Sequence, residues 1–406
     1  MDRKHGLLVV RAIVAVATCL VIGLLLNPVV AAGAGAGATA GYADRSLGIE
    51  GFAQMRWQLD DKGSGDTQNY FRLRRLRLRA TGDWNQYFRV RLQLALQELA
   101  KDDVAGEILE DAFIRIRKSD ALEIHFGQYK LPISREELRS SSDQFVVDRS
   151  PIVNDNFKRS LWISRDIGVM LAGNLYEHDV PFEYYAGVWN GEGRNHPADF
   201  KDLNDTKLFG GRAEYAPVAG VKLAGSFLAN PIRSGAGEFT FSDSFDIPDD
   251  RDYSEMATIW SADGNFTQPW SSGRLVVEGE ILNGTNTREF ASAMAAALAD
   301  TTGPALPKPS DEGFIQRGMQ VSGLALFRTE GTLTGWEIGS RLGHFDPDID
   351  GDDDSTTEVA VALGLHFLPE PDVNKDRLQF ELTNLSYAAS GRDSDWSYKV
   401  QWQVRY

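Results

Sequence analysis

From residue 86 onward the dominant period of this chain is two. In Gln86–Gln97 the residues Phe88, Val90, Leu92, Leu94 and Leu96 are apolar, and Arg89, Arg91, Gln93 and Gln97 fill the other face. Successive side chains of an extended strand point to opposite sides, so this is a strand with one oily and one wet face. The rule recurs at Ala112, Ile114 and Ile116 against Arg115 and Arg117, and at Leu122, Ile124 and Phe126 against Glu123 and His125. It returns at Phe182, Tyr184 and Val188, and at Val359, Val361, Leu363, Leu365 and Phe367. From about Leu47 to Tyr406 it yields sixteen candidate strands of about 9 to 14 residues, the length a tilted membrane-crossing strand needs.

The connections have a rhythm. Brief turns at Lys118–Ala121, Glu177–Val180, Pro217–Gly220 and Thr329–Thr332 alternate with long segments. The long ones are Gln58–Asn69, Leu99–Ile108, Lys130–Ser164, Gly191–Thr206, Pro231–Tyr253, Gly284–Glu312 and Asp346–Ser355. Short periplasmic turns with long extracellular loops are how outer-membrane barrels are built, so the expected fold is all-β, a transmembrane antiparallel barrel of about sixteen strands. In the last segment Trp396, Tyr398, Val400, Trp402, Val404 and Tyr406 share one face, with aromatics placed for the interfacial girdles. A closed soluble barrel is the competing fold, but sixteen strands enclose too wide a lumen for side chains to fill. A mean hydropathy of −0.30 argues against a bundle of apolar spanning helices.

Residues 1–40 read as an export signal. Arg3, Lys4 and Arg11 precede the apolar stretch Ala12–Leu26, and Pro28 leads into an Ala/Gly run that offers cleavage after Ala32 or after Ala40. Residues 41–406 then form one barrel domain. Cys19 is the single cysteine and lies in the removed part, so the remainder can form neither a disulfide nor a thiolate metal site.

With 42 Lys and Arg against 58 Asp and Glu, the formal charge is −16, which excludes unspecific nucleic-acid binding. The arginines are nevertheless concentrated. If the apolar faces meet lipid, Arg75, Arg77, Arg79, Arg89, Arg91, Arg115 and Arg117 face the lumen from three consecutive strands. A hydrated pore tolerates such a wall, whereas lipid does not. Within Phe71–Ala80 the parity changes between Leu73 and Leu76, which calls for a bulge near Arg74 and Arg75. Two functions fit the wall. It can be a row of anion donors, or it can balance carboxylates across the pore and set a transverse field.

The loop Lys130–Ser164 is slightly basic in an acidic chain. It carries Lys130, Arg135, Arg139, Arg149, Lys158 and Arg159, and Ser134 with Glu137 forms a capping box that predicts a short helix. It is long enough to fold inward, so 130–164 is the expected constricting loop. Asp346–Asp354 resembles the opening of a calcium loop, but Thr357 stands at its twelfth position, and a solvated acidic loop is the expectation. Phe290–Ala299 predicts one short helix before Pro304–Pro309. There is no G-x-S-x-G motif, and His125, His178, His196, His344 and His366 have no metal-ligand spacing, so no catalytic residue, metal or cofactor is expected.

Four segments resemble the phosphate-selective porin O and P family of Gram-negative outer membranes: Tyr70–Arg79, Phe126–Leu138, Ser164–Met170 and Gly187–Gly193. The strand pair Thr356–Tyr387 matches more weakly. The resemblance implies a sixteen-stranded barrel assembled as a homotrimer, with anions moving along Arg and Lys, and it points to Arg72, Arg74, Arg75 and Lys130. The expected path is therefore Arg72, Arg74, Arg75, Arg77, Arg79, Arg89, Arg91, Arg115, Arg117, Lys130, Arg135 and Arg139. The chain departs from the family in having few lysines, so the family's lysine cluster has no counterpart here. The expected partners are small anionic solutes such as phosphate, outer-membrane lipid and lipopolysaccharide. A non-selective or cation-preferring porin and a structural, surface-binding barrel stay open beside the anion channel.

Overall fold

The computed structural model describes residues 45–100, 108–151, 157, 165–195, 203–240, 244–300, 305–351, 353–369, 374–389 and 391–405. The proposed export signal and both cleavage positions lie outside these residues, as do 152–156 and 158–164 of the third long loop.

Alternation puts sixteen long strands into one closed sheet. The first nine strands are β1 (Ser46–Asp61), β2 (Thr67–Asp83), β3 (Phe88–Ala95), β4 (Leu109–Ser119), β5 (Leu122–Lys130), β6 (Arg165–Asn174), β7 (Phe182–Trp189), β8 (Leu208–Val218) and β9 (Val221–Arg233). A small hairpin, β10 (Glu238–Thr240) and β11 (Ser244–Asp246), interrupts them. The remaining strands are β12 (Ser254–Trp270), β13 (Gly273–Thr285), β14 (Ile315–Arg328), β15 (Gly335–Asp346), β16 (Thr356–His366), β17 (Asp376–Tyr387) and β18 (Asp395–Arg405). Each barrel strand pairs antiparallel with its sequence neighbour. β1 closes on β18 from Phe52 opposite Arg405 to Asp61 opposite Trp396. Closure pairs the backbone groups that an open edge would leave bare in hydrocarbon. Among the described residues no helix is long and apolar enough to cross a membrane.

The register fixes which side chains meet lipid. On β17 and β18 the residues Phe380, Leu382, Trp396, Tyr398 and Trp402 are exposed outward, while Gln379, Glu381, Lys399, Gln401 and Gln403 are buried inward. Trp270, Phe327 and Trp336 form an aromatic run at the turn-side ends of β12, β14 and β15, with Phe327 stacked 4.1 Å from Trp336. The parity change in β2 is a bulge at Arg74: Gln54 faces Arg75 and Met55 faces Leu73, leaving Arg74 without an opposite residue.

Two expectations are corrected. Gln58–Asn69 is not a long loop, because β1 continues to Asp61 and β2 starts at Thr67. The strands extend because their polar side chains bond across the ladder. Arg72 donates to Gln58 (2.9 Å), Tyr70 donates to Asp60 (3.0 Å), and Trp57 donates to Asn69 (2.7 Å). Nor is the inner face polar throughout. Trp189, Leu208, Leu228, Ile259 and Leu282 point inward near the long-loop ends of their strands and are buried. They pack with Phe239 and Phe245 of the small hairpin and with Phe290, Ala291 and Met294 of helix α2 (Thr287–Ala299). Here the alternation hides an oily interior, since Phe227–Leu228 and Ile259–Trp260 are apolar on both faces.

Leu382 faces outward at mid-strand, 40% exposed. Leu382→Arg should destabilise the barrel by about 2–4 kcal/mol if the site lies near the bilayer midplane. Urea unfolding in lipid vesicles measures this, and an unchanged midpoint would place Leu382 away from lipid.

Candidate functional site

The basic strand and the two strands that follow it set a continuous run of guanidinium groups on the inner wall. Down β2 stand Arg72, Arg74, Arg75, Arg77 and Arg79. Register then brings Arg91 of β3 opposite Thr81, Arg89 opposite Asp83, and Arg115 of β4 opposite Arg89, with Arg117 nearest the turn. The run therefore descends from the long-loop end to the short-turn end of the barrel.

Carboxylates hold much of it in place. Arg77 donates to Glu110 (2.5 Å) and to the Ser141 hydroxyl (3.0 Å). Arg79 bonds Gln93 (2.7 Å) and Glu50 (3.2 Å). Arg89 pairs with Asp83 (2.5 Å), Arg115 with Glu123 (3.5 Å), and Arg117 with Asp120 and Glu123. Arg91 lies 5.5 Å from the Phe113 ring centroid. Arg75 is buried and donates to Gln54 Oε1 (2.7 Å), and Arg74 reaches Asp148 at 3.5 Å.

Residues 131–151 of the third long loop lie inside the barrel against the inner faces of the wall. Their sequence contains the turn that starts this path. Ser134 caps α1 (Arg135–Leu138), accepting from the Glu137 amide, with its own backbone in the positive-φ region (φ 62). Its hydroxyl donates to Glu280 of β13 (2.6 Å), which also accepts from the Glu136 amide. Arg135 donates to Asp263 of β12 (2.6 Å) and Glu214 of β8 (2.7 Å), and Arg139 pairs with Glu278. Lys130, at the end of β5, donates to the carbonyls of Glu137 and Arg139. Lys130, Arg135 and Arg139 thus bind the loop to itself and to an acidic wall, with Lys130 in electrostatic range of Arg77 on the run.

The loop then follows β13–β18. Arg377 donates to the carbonyls of Gln144 (3.2 Å) and Ser142 (2.9 Å), and Gln403 also donates to Ser142 (3.0 Å). Glu381 accepts from the Val147 amide (2.5 Å). Arg341 joins Glu136, Glu358 and the Asp148 carbonyl. The wall beneath is cut small. A Cβ on Gly339 would stand 1.8 Å from the Phe145 carbonyl oxygen, and Val146 packs on Ala360 and Ala362. At Asp148 the loop meets Arg56 and Lys399 as well as Arg74.

Arg56, Lys399, Arg341 and Arg377 were not among the expected site residues. Parity carries the signal for the first two: Arg56 alternates with Met55 and Trp57, and Lys399 with Tyr398 and Val400. The acidic wall of Glu214, Asp263, Glu278, Glu280, Glu337, Glu358 and Glu381 has no signal beyond inward parity, and Asp148, on a loop, has no parity at all. In the acidic loop, burial and the neighbouring Asp346 and Asp348 push the Asp354 carboxyl up. Among the described residues no group of three or more His, Cys, Asp or Glu is placed to hold a metal.

A sixteen-stranded antiparallel barrel with an inward-folded third loop and a charged lumen is the architecture of an outer-membrane porin. Residues 50–248 match the model of the family described as phosphate-selective porin O and P. Solved structures give the same fold. The outer membrane channel DcaP of Acinetobacter baumannii is 10% identical with a TM-score of 0.56, over 91% of this chain and 99% of that one. An anion-selective porin from Comamonas acidovorans is 11% identical with a TM-score of 0.54, over 89% and 100%. The trimer form of OmpT from Vibrio cholerae is 11% identical with a TM-score of 0.51, over 89% and 100%. No curated protein matches the sequence.

Gly339→Leu should lift residues 144–147 from the wall, because its side chain needs the space of the Phe145 carbonyl. Hydrogen exchange at the Val147 amide should rise by about tenfold or more as its bond to Glu381 opens. Unchanged exchange would mean the loop does not depend on that shelf.

Proposed function

We propose that this porin conducts small anions, inorganic phosphate among them, along the arginines of β2–β4, with the third loop as the constriction. The observation that carries the reading is the unbroken descent from Arg72 to Arg117 along one side of the lumen. Guanidinium groups remain charged at every physiological pH and present paired donors to oxyanions, and a row of separate weak sites permits release as well as entry. The family match and the fold shared with a porin named as anion-selective support the reading. The functional unit we propose is a homotrimer, supported by the fold shared with the trimeric OmpT. Residues 1–40 are proposed to be removed on export, and the mass of the mature protein decides between Ala32 and Ala40.

One observation favours a second reading. Arg77, Arg79, Arg89, Arg115 and Arg117 are each paired with a carboxylate, and acids line β8, β12, β13 and β15–β17 on the far side. Such a lumen sets a transverse field in a general porin without selecting a solute.

The reversal potential of the purified protein in a planar bilayer across a KCl gradient separates the two readings. The anion channel should pass chloride over potassium by about fivefold or more at low salt, a preference that falls as salt screens the wall. A preference for potassium would mean that the acidic wall sets the field, and the second reading would replace the first.

A further inference from the structure

Asp148 sits in a nest of cations. Arg56 donates to both of its carboxylate oxygens, Nη1 to Oδ2 at 2.6 Å and Nη2 to Oδ1 at 2.8 Å. Lys399 Nζ approaches Oδ2 at 3.2 Å, and Arg74 Nε approaches Oδ1 at 3.5 Å. Arg72 and Arg75 are within electrostatic range of the same carboxylate. Two of the cations, Arg56 and Lys399, are fixed independently of it. Arg56, whose side chain is fully buried, also donates to Gln401 (2.7 and 3.1 Å) and to Gln58 (3.3 Å), and Lys399 is held by Glu381 (2.6 Å).

The loop backbone is secured separately. Arg341 donates to the Asp148 carbonyl, and Glu381 accepts from the amides of Val147 and Asp148. Only the side chain of Asp148 enters the cation nest, so it can rotate away with the backbone still docked. The nest is within reach of solution: the Asp148 and Arg74 side chains keep 21% and 26% exposure, and Arg72 above them is exposed.

From this geometry we propose that Asp148 is a tethered counter-anion. Its carboxylate occupies an oxyanion site built by Arg56, Arg74 and Lys399, and an oxyanion entering from the extracellular side takes its place. A fork that binds two oxygens of a carboxylate also binds two oxygens of phosphate. Asp148 cannot leave alone, because a buried guanidinium without a counter-charge is strongly disfavoured. Departure and entry are therefore linked, and occupation by Asp148 and by solute are mutually exclusive. The exchange rests on the anion-channel reading. It adds to it that the affinity for solute is set by competition with the protein's own carboxylate.

The test is phosphate block of the KCl current in planar bilayers, with folding checked by heat-modified gel mobility. Asp148→Asn keeps the side-chain shape and removes the competing charge, so the half-blocking phosphate concentration should fall by about tenfold or more. Asp143→Asn, on the same loop but outside the nest, should leave it unchanged. Lys399→Gln takes a cation from the site while Asp148 remains, and should raise the half-blocking concentration by about tenfold; this variant stands if Asp148→Asn does not fold. An unchanged or higher value in folded Asp148→Asn, or no change in Lys399→Gln, would overturn the exchange. If chloride selectivity is present but phosphate block is unshifted, only the exchange fails. If the wild type prefers potassium, the anion-channel reading fails with it.

Discussion

A strand in hydrocarbon has no water to bond its backbone, so every N–H and C=O must find a partner in the chain. The pairing of β1 with β18 meets that demand, and the rest of the structure follows from it. Once the sheet is closed, alternate residues are committed to lipid or lumen, and a one-residue change of register would exchange the two. The bulge at Arg74 is placed where β2 must carry Arg72 and Arg75 on the same side despite their odd spacing. Closure of sixteen strands also leaves a wide interior, which the chain narrows with its own loops. Apolar loop elements pack near the long-loop ends of β7–β13, and the polar third loop packs among the charged side chains.

The charges of the lumen are sorted by strand, and the loop lies between them with the complementary sign at each end. Arg135 and Arg139 meet Glu214, Asp263 and Glu278, while Asp148 meets Arg56, Arg74 and Lys399. A loop with a single sign throughout would be repelled by one wall. Pairs of this kind, partly desolvated, are costly to break singly, at about 3–5 kcal/mol when one partner is removed. The shelf of Gly339, Ala360 and Ala362 adds a steric condition, because the loop backbone can lie this close only where the wall has almost no side chains.

Much of this was legible in the sequence because β-barrels repeat one rule. Strand number, order, the rhythm of short turns and long loops, the capping box at Ser134 and the parity break in β2 are local patterns, and the structure carries each of them. The site was legible only in part. That Arg77 would meet Glu110 and Ser141, or that Asp148 would meet residues of β1, β2 and β18, depends on contacts far apart in sequence, which alternation does not encode. The oily interior was concealed for a different reason: a strand apolar on both faces near its end has no period to read. The polar residues of Gln58–Asn69 resemble a solvated segment in sequence, although they bond across β1 and β2.

The central claim is that anions travel along the arginine face of β2–β4. Crystals soaked in bromide and measured for anomalous scattering test it most directly, since they locate the ions rather than the current. Bromide peaks should follow the inner wall from Arg72 past Arg75 and Arg91 toward Arg117. Peaks confined to the outer surface, with none along that wall, would contradict the account.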